Sequence, residues 1–128
     1  MIRSVNFARR LFLAATAFGM LVVPPMFFLE GYFGEKYPPA ITHPEFYYGF
    51  VGAVFAWQLV YLLIALDPIR YRPLMLLGAL CKGGFALTVL ILLAQGRVDP
   101  KSMPPVLGDM IFAPLFVWAF VRTGGAEI

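Results

Sequence analysis

Residues 42–95 read THPEFYYGFVGAVFAWQLVYLLIAL (42–66), DPIRYRP (67–73) and LMLLGALCKGGFALTVLILLAQ (74–95). Each apolar run is about as long as the ~20 residues an α-helix needs to cross a bilayer core of about 30 Å. The turn between them is charged by Asp67, Arg70 and Arg72. Asp67 and Pro68 stop the first run, and Pro73 suits the first turn of the next, where no amide hydrogen is needed. The pair reads as a membrane hairpin.

Upstream lies LFLAATAFGMLVVPPMFFLEGYF (11–33), preceded by Arg3, Arg9 and Arg10. The order of charge then apolar run also fits a signal peptide with a small-residue cleavage region near Ala17, but the run continues through Pro24 and Pro25 to Leu29, longer than a signal core. A retained helix is the preferred reading. The two prolines lack amide hydrogens, so the helix is expected to bend or unwind there. Residues 31–41 (GYFGEKYPPAI) read as a structured outer loop, and 96–105 (GRVDPKSMPP) as a second one, with Ser102 as the cap of a shorter final helix. The expectation is an all-α membrane protein, a four-transmembrane-helix antiparallel up-down bundle. It forms a single transmembrane domain over 1–128, with helices at about 8–29, 45–66, 73–95 and 104–121.

Composition agrees with this and excludes other classes. The chain is 61% hydrophobic and 13% charged, with mean hydropathy +0.81, far from the globular norm of about half apolar and a quarter charged. The net charge of +3 is carried at the ends of apolar runs rather than on a basic stripe, so nucleic acid is not an expected partner. Arg3, Arg9, Arg10, Arg70, Arg72 and Arg122 fall on one side of the predicted threading, and Lys36, Arg97 and Lys101 on the other. The positive-inside rule then places both termini in the cytoplasm of a multi-pass inner (plasma) membrane protein. The expected partners are the lipid bilayer and a homo-oligomeric or membrane-protein neighbour. Cys81 is the only cysteine, which excludes an intrachain disulfide or CxxC chemistry; it reads as an inert, buried small residue.

Few residues carry candidate chemistry. Lys82 stands mid-helix, where a lysine costs about 2.5–3.5 kcal/mol on insertion scales and faces protein or water. Measured from the inner boundary, Lys82 lies at roughly 12 Å and Asp109 at roughly 24 Å, with side chains leaning apart. The expectation is therefore a polar core in which Lys82 meets Gln58 or helix carbonyls, with Tyr61 nearby; snorkelling of Lys82 to the headgroups is the alternative. Asp109 is expected at the outer mouth with His43, Glu45, Tyr47 and Tyr48, as an acidic and aromatic pocket, or simply against its own helix dipole. Thr42 and Glu45 have the spacing of a capping box. Gly49, Gly52 and Ala56 share a face expected to point into the bundle. No metal-ligand spacing, cofactor motif or catalytic set is present.

HPEFYYGFVG, AWQ and DPIRYRPLM give the chain a likeness to small four-helix bacterial inner-membrane proteins of unknown function, and it resembles the DoxX-like proteins in size and hydropathy. The resemblance implies an acidic residue just before the lysine of the third helix; here that position is Cys81. The resemblance implies a fold and a location but no reaction. The leading expectation is a non-enzymatic small-ligand or lipid-binding or accessory membrane subunit. A small dimeric transporter or exporter is the second, although residues 11–23 lack the membrane-embedded glutamate of small multidrug exporters. An intramembrane lipid-modifying enzyme is the third.

Overall fold

The computed structural model describes residues 2–125. It is all-helical: α1 (Ile2–Val22), a 3₁₀ helix (Pro24–Phe28), α2 (Glu30–Lys36), α3 (Pro44–Leu66), α4 (Arg72–Ala94), a 3₁₀ turn (Pro100–Ser102) and α5 (Met103–Arg122). No strand occurs among the described residues. Four stretches are long and apolar enough to cross a membrane: Ile2–Phe28, Pro44–Leu66, Arg72–Ala94 and Pro100–Arg122.

Each boundary has a local cause. Pro24 and Pro25 end the regular ladder of α1, and the chain continues as a 3₁₀ helix to Phe28. α1 starts at Ile2 rather than near residue 8, because Arg3 and Arg10 are exposed and need not leave water. The connection between the first two spans contains the short helix α2, whose Lys36 ammonium lies 5.5 Å from the rings of both Tyr32 and Tyr37. The Asp67 carboxylate accepts from the Arg70 amide at 3.2 Å and holds the turn before α4. α4 closes on Gly96, whose φ of +70° lets the Arg97 amide reach Leu92 O (2.9 Å) and its own amide reach Leu93 O (3.0 Å).

Two predicted caps are absent. His43, not Thr42, stands at the N-cap of α3 without a side-chain bond, and the Glu45 carboxylate pairs with the His43 ring at 3.5 Å. Pro44 at the first position already removes one amide in need of a partner. Ser102 makes no side-chain bond to an α5 amide; its hydroxyl donates to Asp99 O at 2.6 Å, while the Asp99 carboxylate caps the preceding turn.

Packing is uneven along the helices. α4 packs most extensively on α5, and α1 on α3; α1 also meets α5, whereas α3 and α4 touch little. The dense core lies where α1 contributes Ala8, Leu11, Phe12 and Ala15, α3 Tyr61, Ile64 and Ala65, α4 Met75 and Ala79, and α5 Phe116 and Ala119. Phe12 stacks on Phe116 with centroids 4.3 Å apart, and Tyr61 tilts against Phe116 at 5.2 Å. Gly78 makes room for both rings: a Cβ there would lie 3.0 Å from Tyr61 and 3.3 Å from Phe116.

Two arginines tie this end together. Arg9 Nε donates to Ala65 O at 3.2 Å, and Arg72 grips Phe120 O through Nε (3.1 Å) and Nη2 (2.7 Å) while reaching the Thr123 hydroxyl at 3.1 Å. Gly49, Gly52 and Ala56 do not face inward. Gly49 and Ala56 are exposed, and a Cβ on Gly49 or Gly52 would meet nothing within 4 Å. The close contact between α1 and α3 is made instead at Gly19, over which the Gln58 side chain lies.

Candidate functional site

Where the dense core ends, the four long helices enclose polar groups. Lys82 Nζ donates to Asp109 Oδ1 at 3.0 Å, and the two side chains are 7% and 18% exposed. The predicted separation of Lys82 from Asp109 is wrong, and the Arg72 clasp explains why. With Arg72 level with Phe120 and Thr123, Lys82 lies about 15 Å along α4 and Asp109 roughly 17–21 Å along α5 at 1.5 Å per residue. The remaining few ångströms are within reach of the lysine stem. Measuring both helices from a common membrane boundary ignores this offset.

Around the pair the wall is aromatic. Lys82 Nζ lies 5.2 Å from the Tyr61 ring centroid and 5.4 Å from that of Phe112, so the ammonium has two π faces in addition to its carboxylate. Gln58 does not bond Lys82. Its Nε2 donates to Val54 O one turn back at 3.0 Å, and its Oε1 is buried without a partner. A buried carbonyl left so forfeits about 1–3 kcal/mol. Gln58 is 2% exposed.

The groups line two neighbouring spaces. One, of about 240 Å³, lies between α3 and α4 and is lined by Phe50, Ala53, Val54, Trp57, Gln58, Tyr61, Cys81, Lys82, Phe85 and Asp109. The other, of about 110 Å³, reaches Phe18, Gly19, Val22, Val23, Met26 and Pro105 and shares Gln58, Lys82 and Asp109 with the first. The larger follows from the sparse contact between α3 and α4. Its rim carries exposed Phe50 and Ala53. For scale, an apolar cavity of about 150 Å³ admits a benzene ring.

The structure thus brings Lys82, Gln58, Tyr61 and Asp109 to one cavity and leaves out His43, Glu45, Tyr47 and Tyr48. His43 and Glu45 face each other at 3.5 Å with side chains 70% and 66% exposed. The Tyr47 hydroxyl donates to Met26 O at 2.7 Å and the Tyr48 hydroxyl to Glu30 at 2.9 Å. Neither space that Asp109 lines includes these four residues, so the predicted outer pocket is not formed. Asp109 leaves it because the ammonium is the stronger partner inside the bundle.

Sequence reading missed Trp57, Phe50 and Phe85 as cavity walls. The AWQ triplet places Trp57 beside Gln58, which is the signal that marks it. Cys81 is half-buried on the cavity wall. Among the described residues no group of three or more His, Cys, Asp or Glu side chains is placed to hold a metal ion. The chain matches no family model, and no curated protein or solved structure is significantly similar to it, so the chemistry of the site is read from its own residues.

Proposed function

We propose that this chain is a multi-pass protein of a bacterial inner membrane, an antiparallel up-down four-helix bundle of the kind the DoxX-like likeness implies, with both termini cytoplasmic. It acts as a non-enzymatic binder of a small apolar molecule with one polar head. The arginine-rich end supports the orientation, since Arg3, Arg9, Arg10, Arg70, Arg72 and Arg122 outnumber Lys36, Arg97 and Lys101. The observation that carries the binding function is the unpartnered Gln58 Oε1, which lies against Gly19 of α1 on a residue that lines both apolar spaces together with Lys82 and Asp109. A ligand hydroxyl would donate to Gln58 Oε1 and accept from Lys82, while its tail fills the space between Phe50, Trp57 and Phe85. Ligand sites have this make-up, largely apolar with a few converging polar groups.

Trp57 provides the test. In a Trp118→Phe background an ω-bromoalkanol titrated into the reconstituted protein quenches Trp57 saturably, and Gln58→Leu weakens the apparent affinity about tenfold, the worth of one buried hydrogen bond. Quenching that never saturates, or that a bromoalkane without the hydroxyl reproduces, refutes the reading.

One observation favours a second reading, proton-coupled transport: a carboxylate paired with an ammonium inside the spans is the arrangement proton relays use. A proton-gradient-dependent flux abolished by Asp109→Asn would establish it.

A further inference from the structure

Six arginines stand at the end of the molecule that carries residues 3–10 and 122; Arg70 lies over the Tyr71 ring at 5.4 Å, and the other five fall into two groups. Arg9 and Arg72 bond backbone carbonyls within the helices. Arg3, Arg10 and Arg122 instead line one open groove of about 570 Å³ together with Asn6, Phe7 and Leu11. On α1 these are positions i, i+3, i+4, i+7 and i+8 from Arg3, a single helical face. Arg122, in the last turn of α5, closes the groove from the other side with its guanidinium 4.5 Å from the Phe7 ring. No carboxylate among the described residues lines it. Three like charges around one concave surface repel, and an anion at its centre relieves that repulsion.

The position selects the anion. The groove sits at the end of two membrane-length helices, and its apolar floor, Phe7 and Leu11, reaches the start of the apolar part of α1. From Arg10 the same face of α1 continues to Leu13, 44% exposed, and from Arg122 one turn back along α5 stands Trp118, 57% exposed. Phosphate-sized charge at the groove is thus followed by apolar surface on the membrane side. Guanidinium forks match phosphate oxygens in pairs, and basic pockets at helix ends on one side of a bilayer take anionic headgroups.

We infer that Arg3, Arg10 and Arg122 form a binding site for the phosphodiester headgroup of an anionic phospholipid in the adjoining leaflet, with its acyl chains along Leu13 and Trp118. The site is separate from the Lys82 cavity and does not depend on what that cavity holds.

Native mass spectrometry of the intact protein, titrated with phosphatidylglycerol and with phosphatidylcholine, tests this. Each guanidinium near a lipid surface contributes a factor of about five, so Arg3→Gln/Arg10→Gln lowers phosphatidylglycerol affinity roughly 25-fold, and the single exposed-residue change Arg10→Gln about fivefold. Arg97→Gln, which removes one charge from the loop after α4, leaves it unchanged. Glycerol 3-phosphate at millimolar concentration does not displace the lipid. Equal affinity for the two lipids, an equal loss in Arg97→Gln, or displacement by glycerol 3-phosphate or by a short oligonucleotide at matched concentration overturns the proposal. The last two would mark a free-phosphate or nucleic-acid site.

Discussion

Lys82→Met removes the ammonium from a pair whose charged atoms lie 3.0 Å apart and whose side chains are 7% and 18% exposed. At that distance, and with an effective dielectric constant of about 20, the attraction is about 5 kcal/mol. Taking each ion out of water costs several kcal/mol, so within the intact pair the two effects nearly cancel. Removing one partner leaves the other's desolvation uncompensated, at about 3–5 kcal/mol. For a chain of this size that is a fall in Tm of roughly 10–20 °C. Lys82→Met/Asp109→Leu replaces both ions by apolar side chains of similar bulk and returns to within ~2 kcal/mol of the parent. Unfolding in detergent can be followed by the reaction of Cys81, the one thiol, with a fluorogenic maleimide. The four proteins form a double-mutant cycle with an expected coupling above ~2 kcal/mol. If Lys82→Met alone is as stable as the parent or more so, the ammonium reaches the headgroups on its own, and Asp109 is not its counter-ion.

Three further outcomes follow from the packing. Gly19→Ala sets a Cβ onto the present position of Gln58 Oε1, so the amide must rotate away; a loss of about 1–3 kcal/mol in thermal unfolding, largely restored by Gln58→Ala, is expected. Arg72→Lys keeps the charge but loses the fork that holds Phe120 O and the Thr123 hydroxyl, and lowers stability by about 1–3 kcal/mol, measured in the same assay, with little change in insertion. Phe12→Ala removes a fully buried ring stacked on Phe116 and costs about 3–5 kcal/mol; a change under 1 kcal/mol would mean that the dense core is not where the stability resides.

The membrane-length helices are legible because length, hydropathy and proline placement are local properties: Asp67, Pro68 and Pro73 bracket a turn whatever surrounds them. The Lys82–Asp109 pair is not legible, because lateral register is not a local property. It is set here by Arg72 on Phe120 and Thr123, and in the sequence Arg72 reads only as one more topological charge. The same limit explains Gly49 and Gly52, since a small-residue face on α3 says that something can approach but not which neighbour does. Gly19 is chosen instead because Gln58 must lie somewhere, and only a residue without a Cβ leaves it room. Thr42 and Glu45 fail as a cap for a nearer reason: a competing partner, His43, stands between them.

The opening between α3 and α4 has a consequence for concentration. On the proposed binding function, a molecule entering past Phe50 and Ala53 would arrive from hydrocarbon and not from water. Partition into the bilayer at about 0.8 kcal/mol per methylene enriches a ten-carbon tail there by roughly a million-fold before any protein contact. On the same proposal discrimination would fall to the head group alone, with two solutes of equal oiliness told apart by whether they can satisfy one stranded amide oxygen.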